Sequence, residues 1–188
     1  MTKILALHGL GSTGEGSGTM KAIRDYFGKD YEVITPTWDI NHFQDLVDEV
    51  KDLNPDIIIG ISMGGYLARY LANKVFKNAQ LILLNPVLDA TPIMIKHHGT
   101  NINFVTGERY IINHTTRQIV DEYYIDRDRL CLSITLVVAV DDTDVNAGIA
   151  IGEYNNRARM LILENGGHRL QNVDYLTFVE KSINTLNC

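Results

Sequence analysis

The chain has 188 residues and a net charge of −6 at pH 7, because 23 acidic residues outnumber 17 lysines and arginines. This balance argues against a basic face, so neither nucleic acid nor an anionic membrane is expected as a main partner. The length fits one domain, residues 1–188, with a sizeable buried core.

The sequence also predicts the compartment. It has no run of 18 apolar residues, and it enters an apolar, strand-like stretch almost at once, without the charged and apolar regions of a signal sequence. We therefore expect a cytoplasmic protein with no membrane span. The two cysteines, Cys131 and Cys188, suit neither a disulfide framework nor a metal site and are predicted to be free thiols.

Apolar runs rich in β-branched residues alternate along the chain with stretches of helical periodicity. This alternation is typical of an α/β fold, in which helices cover both faces of a parallel sheet. Strands are predicted at 3–7, 31–34, 56–61, 80–84, 133–140 and 158–163, and helices near 19–28, 41–53, 63–76, 146–154 and 172–186.

Two of these helices have clear apolar stripes, which predict the faces that pack on the sheet. In the second helix, Asn41 and Gln44 also have the spacing of a capping box. The predicted core positions are Phe43, Leu46, Val47, Val50 and Leu53 in the second helix, and Val173, Leu176, Val179, Ile183 and Leu186 in the last.

The loop after the first strand fits two different sites. Gly9 to Gly14 matches G-x-G-x-x-G, the fingerprint of a dinucleotide site, but the second strand ends in Thr35-Pro36-Thr37 and lacks the acidic residue that binds a ribose. A nucleotide-dependent enzyme is therefore the less favoured alternative. The same loop could supply the Leu10 N–H to an oxyanion hole, with Gly9 bending the backbone and His8 orienting the loop.

A nucleophile elbow is predicted where the third strand meets the third helix. Residues 60–65 read Gly-Ile-Ser-Met-Gly-Gly, which contains the G-x-S-x-G pattern in its required setting of strand, sharp turn and helix. Such a turn strains the serine backbone and leaves no room for side chains at Gly60 and Gly64. Ser62 is the predicted nucleophile, and Met63 the second N–H donor of the oxyanion hole. The alternative is a glycine-rich turn that only joins strand to helix.

The alternation stops in a middle segment, which has no strong strand pattern and is expected to form a lid or cap over the site at about residues 86–130. A lid of this kind would set specificity. Its aromatic residues either line an acyl pocket or, as is more common, build a small core of their own. The candidates for such a pocket are Phe104, Tyr110, Ile111, Tyr123 and Tyr124.

Acidic residues follow the strand at 133–140, where a triad carboxylate would be expected. Asp142 is favoured, while Asp141 and Asp144 remain open and Asp144 could instead cap the next helix. The rival interpretation is a Mg²⁺ or Ca²⁺ site, but no second acidic cluster is present to complete its ligand shell. No metal is therefore expected.

His168 is the predicted base, because it lies in a glycine-rich loop after the last strand and completes the chain order Ser, Asp, His. The other histidines lack such a setting. Surface or lid positions are expected for His42, His97, His98 and His114.

Several of these motifs together resemble those of the small YqiA-like esterases of the α/β-hydrolase superfamily, and they cover almost the whole chain in the same order. The matching residues are Leu7-His8-Gly9, Gly60-x-Ser62-x-Gly64-Gly65, Asn85-Pro86, Asn103 to Tyr110, and Gly166-Gly167-His168.

This resemblance implies a minimal α/β-hydrolase fold, without the first two strands of larger members, that hydrolyses carboxylic ester or thioester bonds and needs no cofactor. The family usually has Gly-Asp at the exit of the strand before the histidine's strand, where this chain has Asp141-Asp142. The expected substrate is a small-molecule acyl ester or thioester, and the oligomeric state stays open. A non-catalytic binding module on a hydrolase scaffold is the alternative function.

Overall fold

The computed structural model describes residues 1–171 and 174–184. Eight strands are present there: β1 (Lys3–Leu7), β2 (Glu32–Ile34), β3 (Ile57–Ile61), β4 (Gln80–Leu84), β5 (Gly99–Ile102), β6 (Arg109–Ile112), β7 (Ile134–Ala139) and β8 (Arg159–Leu163). Six of them form one parallel sheet in the order β2-β1-β3-β4-β7-β8. All six predicted strands are confirmed, with ends that differ by one residue at most.

The order of the strands creates a crevice at one edge of the sheet. From β1 the chain moves to β2 on one side and then returns to β3 on the other. The loops that leave the carboxyl ends of β1 and β3 therefore run in opposite directions, and such a switch point is where open α/β sheets bind ligands.

Helices cover both faces of the sheet. They are α1 (Gly18–Phe27), α2 (Phe43–Val50), α3 (Met63–Tyr70), α4 (Thr91–Lys96), α5 (His114–Glu122), α6 (Ala147–Tyr154) and α7 (Tyr175–Asn184), and a π-helical turn at Leu71–Val75 continues α3. The inner residues of α1 and α7 share one core cluster, and those of α2, α3 and α6 share the other. No helix in the described ranges is long and apolar enough to cross a membrane.

The predicted helix stripes are largely confirmed. In α2, the stripe residues Phe43, Leu46 and Val50 are buried, while Val47 and Leu53 are partly buried. In α7, the predicted residues Leu176, Val179 and Ile183 are buried. Val173, Leu186 and Cys188 lie outside the described residues, whereas Cys131 is exposed and free of a disulfide in the part described.

The predicted capping box of α2 is wrong. The N-cap is His42, which makes no side-chain cap hydrogen bond. Asn41 instead donates to the carbonyl of Ile111 and accepts from the hydroxyl of Thr116, and Gln44 binds Tyr123. Long-range partners in the middle segment have thus taken the two side chains that would have closed the box.

The middle segment contains more regular structure than its sequence suggests. Besides α4 and α5 it forms an antiparallel hairpin of β5 and β6, which pairs Asn101 with Tyr110. Each strand has only four residues, and β5 begins with a glycine, so neither gives a strong strand pattern.

Candidate active site

Ser62 occupies a strained turn between β3 and α3, with φ of 56° and ψ of −124°, a conformation that non-glycine residues rarely adopt. A Cβ atom on Gly60 would lie 2.3 Å from the carbonyl oxygen of Gly64, and one on Gly64 would lie 2.3 Å from that of His8. The serine N–H donates to Leu84 and its carbonyl accepts from Val87. These contacts hold Ser62, only 6% exposed, in its turn.

Two backbone N–H groups are available beside this serine. A Cβ on Gly9 would lie 3.8 Å from Ser62 Oγ, so the loop after β1 runs directly against the hydroxyl. Within the described ranges, the N–H groups of Leu10 and Met63 have no hydrogen-bond acceptor. Met63 is the first residue of α3, whose N–H has no partner inside the helix and lies at its positive end.

His8 is fixed as a neutral imidazole behind this loop. Its Nδ1 lies 2.7 Å from the carbonyl oxygen of Gly9, and its Nε2 lies 3.2 Å from the backbone N–H of Trp38. Because Nε2 accepts a hydrogen bond there, Nδ1 must carry the ring proton. Burial lowers the pKa of His8 to about 4, against the opposing effect of the bond to Gly9. The ring also stacks on Trp38, with centroids 4.9 Å apart, which suits the predicted loop-shaping role.

His168 and Asp142 lie within hydrogen-bond distance. The imidazole Nδ1 is 2.8 Å from Asp142 Oδ2, and the aspartate side chain is 1% exposed. The other oxygen, Oδ1, accepts from the N–H groups of Asp144 and Val145. A proton on Nδ1 is thereby held by the carboxylate, which leaves Nε2 as the basic nitrogen.

Ser62 and His168 line the same cavity. No direct hydrogen bond joins the two side chains in the described structure. Catalytic hydrogen bonds are often long in a free enzyme and shorten when substrate binds.

The other two candidate aspartates bind elsewhere. Asp141 points to the backbone N–H groups of Gly166 and Gly167, which lower the pKa of its carboxyl group. Asp144 pairs with Lys96 at 2.6 Å, and this hydrogen bond lowers its pKa. The alternative prediction that Asp144 caps the next helix is wrong, because the N-cap of α6 is Asn146.

A cation site is a less suitable interpretation of this acidic cluster. Oxygen or nitrogen atoms of Asp142, Asp144 and His168 do lie within 4.8 Å of one another. Both oxygens of Asp142 are already hydrogen-bonded, however, and the ammonium group of Lys96 donates a hydrogen bond to Asp144. A metal would have to displace these partners.

Asn85 belongs to the motif set that resembles the family, and no role is predicted for it from the sequence. It is buried at the carboxyl end of β4, and its amide contacts both β7, through Ala139, and the loop of His168. An asparagine directly after a buried strand and before Pro86 was the available signal. Its partners, 54 and 83 residues away in sequence, could not be predicted from it.

The cavity beside Ser62 has a volume of about 540 Å³. Phe104 and Tyr110 of the hairpin line it, as do Lys96 and His97. The other three residues suggested for an acyl pocket do not line it. Ile111 and Tyr124 are exposed, and Tyr123 is buried and packs against Phe43 and Tyr70.

The hairpin turn touches the loops on both sides of the cavity. The N–H of Phe104 donates to the carbonyl of Gly11, and the Asn103 amide donates to that of Ser12, each at 3.0 Å. The Arg169 guanidinium lies 4.9 Å above the Phe104 ring. The middle segment therefore forms a wall of the cavity and bridges the loops after β1 and β8.

The glycines of the loop after β1 serve contacts within the protein. A Cβ on Gly14 would lie 1.9 Å from the carbonyl oxygen of Thr35. α1 begins only at Gly18, four residues after the last glycine of the dinucleotide pattern. These features give no support to the nucleotide-dependent alternative.

Comparison with known proteins agrees with this architecture. The family model described as "Uncharacterised protein family (UPF0227)" matches residues 3–179. No curated protein sequence matches the chain.

Among solved structures, alpha/beta hydrolase domain-containing protein 10 from mouse is similar over 98% of this chain and 90% of its own, with a TM-score of 0.75 and 15% identity. Est1E from Butyrivibrio proteoclasticus is similar over 97% of this chain and 88% of its own, with a TM-score of 0.67 and 16% identity. A thioesterase domain from the curacin biosynthetic pathway is similar over 95% of this chain and 90% of its own, with a TM-score of 0.64 and 16% identity. These likenesses confirm the predicted α/β-hydrolase fold.

Proposed function

Since the chain belongs to the uncharacterised protein family UPF0227, the YqiA family of the α/β-hydrolase clan, we propose that it is a serine hydrolase that cleaves carboxylic ester bonds. Thioesters of the same acyl groups are the closest alternative substrates, because they need the same attack on an acyl carbon. The observation that carries the proposal is the strained Ser62 turn, which shares one cavity with His168, whose imidazole is hydrogen-bonded to Asp142.

In the proposed mechanism, each of these groups has a defined role. Nε2 of His168 takes the proton of the Ser62 hydroxyl as its oxygen attacks the acyl carbon, and Asp142 stabilises the imidazolium that results. The oxyanion accepts hydrogen bonds from the N–H groups of Leu10 and Met63. When the bond to the leaving group breaks, the imidazolium gives its proton to the departing alcohol or thiol.

The acyl-enzyme is then hydrolysed by a repeat of these steps. His168 takes a proton from water, the hydroxide attacks the acyl carbon, and the proton passes to Ser62 as the acid leaves. His8 stays neutral and takes no part in proton transfer, since both its nitrogens are engaged with backbone groups. Serine, histidine, aspartate and two amides supply all the groups needed.

The test is hydrolysis of p-nitrophenyl esters and acyl thioesters of graded chain length. The wild-type protein should hydrolyse at least one series, and Ser62→Ala and His168→Ala should each lower kcat by about 10⁴-fold or more. His114→Ala is the control, because this exposed histidine at the start of α5 does not line the cavity. Retention of more than a tenth of wild-type kcat in Ser62→Ala would refute the proposal.

A further inference from the structure

Two side chains that take no part in the proposed chemistry hold the loop before His168. Asp141 Oδ1 accepts from the N–H groups of Gly166 and Gly167 at 3.0 and 2.8 Å. Asn85 Nδ2 donates to the carbonyl oxygens of Gly167 and His168 at 2.9 and 3.1 Å. One side chain therefore binds the donors of the loop, and the other binds its acceptors.

We propose that Asp141 and Asn85 are positioning residues, which clamp this loop to the sheet so that the imidazole of His168 stays in reach of Ser62. This inference rests on the proposed hydrolase function. Neither side chain lines the cavity, so both act through His168 and not through the substrate.

The loop needs such a clamp because its own sequence gives it little rigidity. Two adjacent glycines precede the histidine, and Gly167 has a φ of +57°. Among the described residues, the other backbone–backbone hydrogen bonds of the loop, from Leu170 to Gly167 and from Gln171 to Gly166, are internal to it and do not fix it to the sheet. The hydroxyl of Thr19 in α1 donates to the carbonyl of Arg169, beyond the histidine. The hydrogen bond to Asp142 restrains one atom of the ring, but it does not restrain the backbone that carries the ring.

Asn85 is itself fixed to two strands. It directly follows β4, is 2% exposed, and donates its own N–H to Val137 of β7 at 2.9 Å. Its Oδ1 accepts from the N–H of Ala139 at 2.8 Å. A φ of +39° is a conformation that asparagine tolerates better than most residues. The rigid sheet is thus connected directly to the backbone of His168.

Asp141 lies two residues after the end of β7. Its carboxylate is exposed and directly precedes Asp142. The clamp and the hydrogen bond to the base therefore come from neighbouring residues of one strand exit. Ionised carboxylates accept stronger hydrogen bonds than neutral groups do, and the exposed position means that Asp141 can be replaced without opening the core.

The first test compares steady-state kinetics of Asp141→Ala, Asp141→Asn and Asn85→Asp on a p-nitrophenyl ester. Asp141→Ala should lower kcat by about 10- to 100-fold with KM within about threefold, since a misplaced catalytic group slows the chemical step. Asp141→Asn keeps an oxygen that accepts both N–H groups, so it should recover kcat to within about threefold of wild type. Asn85→Asp loses both donors and should resemble Asp141→Ala.

The matched control is Asp52→Asn, which removes one exposed charge before β3, at the opposite edge of the sheet. It should behave as wild type. Two results would overturn the proposal: wild-type kcat in Asp141→Ala, or equal losses in Asp141→Ala and Asp141→Asn, which would assign the effect to charge. If Asn85→Asp does not fold, the comparison of Asp141→Ala with Asp141→Asn tests the proposal without it.

A second readout does not depend on activity. The NMR signal of the His168 Nδ1 proton reports the hydrogen bond to Asp142, and it should persist in Asp141→Asn but broaden or vanish in Asp141→Ala. An unchanged signal in Asp141→Ala would contradict the clamp. If the wild-type protein hydrolyses none of the esters, the proposed function fails, and this signal still tests the clamp.

Discussion

Three aspartates lie within five residues after β7, and different hydrogen-bond partners distinguish them. Asp142 binds the imidazole of His168, Asp141 binds the loop backbone, and Asp144 binds Lys96. The sequence could favour Asp142 from its position after the strand. It could not separate the three with certainty, because their partners lie 25, 26 and 48 residues away along the chain.

This arrangement predicts the effect of replacing the proposed acid. Asp142→Asn should lower kcat by up to about 10⁴-fold, because an amide at this position favours the wrong imidazole tautomer. Asp144→Asn should lower kcat by less than tenfold, since it removes only a half-exposed ion pair with Lys96. Parallel measurements of kcat for the two variants check this. The reverse ranking would transfer the role of the acid to Asp144.

His8 makes stability depend on pH. The pKa of its imidazole is about 4 in the folded protein and about 6.5 in an unfolded chain. Between these values the unfolded state binds the extra proton, so the contribution of neutral His8 to stability is lost as the pH falls from 6.5 towards 4. This loss should reach about 3 kcal/mol.

Urea unfolding at pH 7 and at pH 4 measures this loss. The variant His8→Asn places a side-chain amide near the position of the imidazole Nδ1, but it has no imidazole to titrate. The decrease in unfolding free energy between the two pH values should therefore be smaller in the variant by about 3 kcal/mol. An equal decrease in both proteins would show that His8 is not held neutral.

Among the elements, the middle segment is where the sequence was least informative. Its hairpin is built from two four-residue strands whose partners lie within the segment, and its turn binds the loop after β1. Such contacts depend on tertiary structure and leave no periodic pattern. By contrast, the long apolar runs of the main sheet could be assigned correctly from sequence because both of their faces are buried.

A buried ion pair connects the end of this segment to α3. Asp128 accepts from Arg69, and both side chains are at most 3% exposed. Asn73 and Tyr154 donate to the same carboxylate at 2.8 and 2.7 Å. The network fixes the chain where it returns towards β7. It lies near the C-terminal end of α3, whereas Ser62 precedes the N-terminal end.

Asp128→Ala should therefore destabilise the protein by about 3–5 kcal/mol, because it leaves the Arg69 charge buried without its partner. The urea dependence of unfolding measures this change. Asp25→Ala, which breaks the exposed pair with Lys21 on α1, should change stability by no more than about 0.5 kcal/mol. Similar small losses in both variants would show that the buried network contributes little.

At the scale of the whole molecule, the parallel sheet brings distant parts of the chain together at one edge. The loops after β1, β3, β4, β7 and β8 contribute, in turn, Leu10, Ser62, Asn85, Asp142 and His168. The strand pattern and the glycine-flanked serine were enough to predict the fold and to propose the nucleophile. The clamp on the base and the walls of the cavity required the three-dimensional structure, because they consist of contacts between loops.

The central claim is that Ser62 is an activated nucleophile, and covalent labelling tests it most directly. A fluorophosphonate reacts with a serine that a neighbouring base activates, and mass spectrometry locates the adduct. We predict one adduct per chain on the peptide that contains Ser62, with none on Ser62→Ala of equal folded content. A folded wild-type protein that stays unlabelled, or that carries its adduct on another residue, would contradict the account.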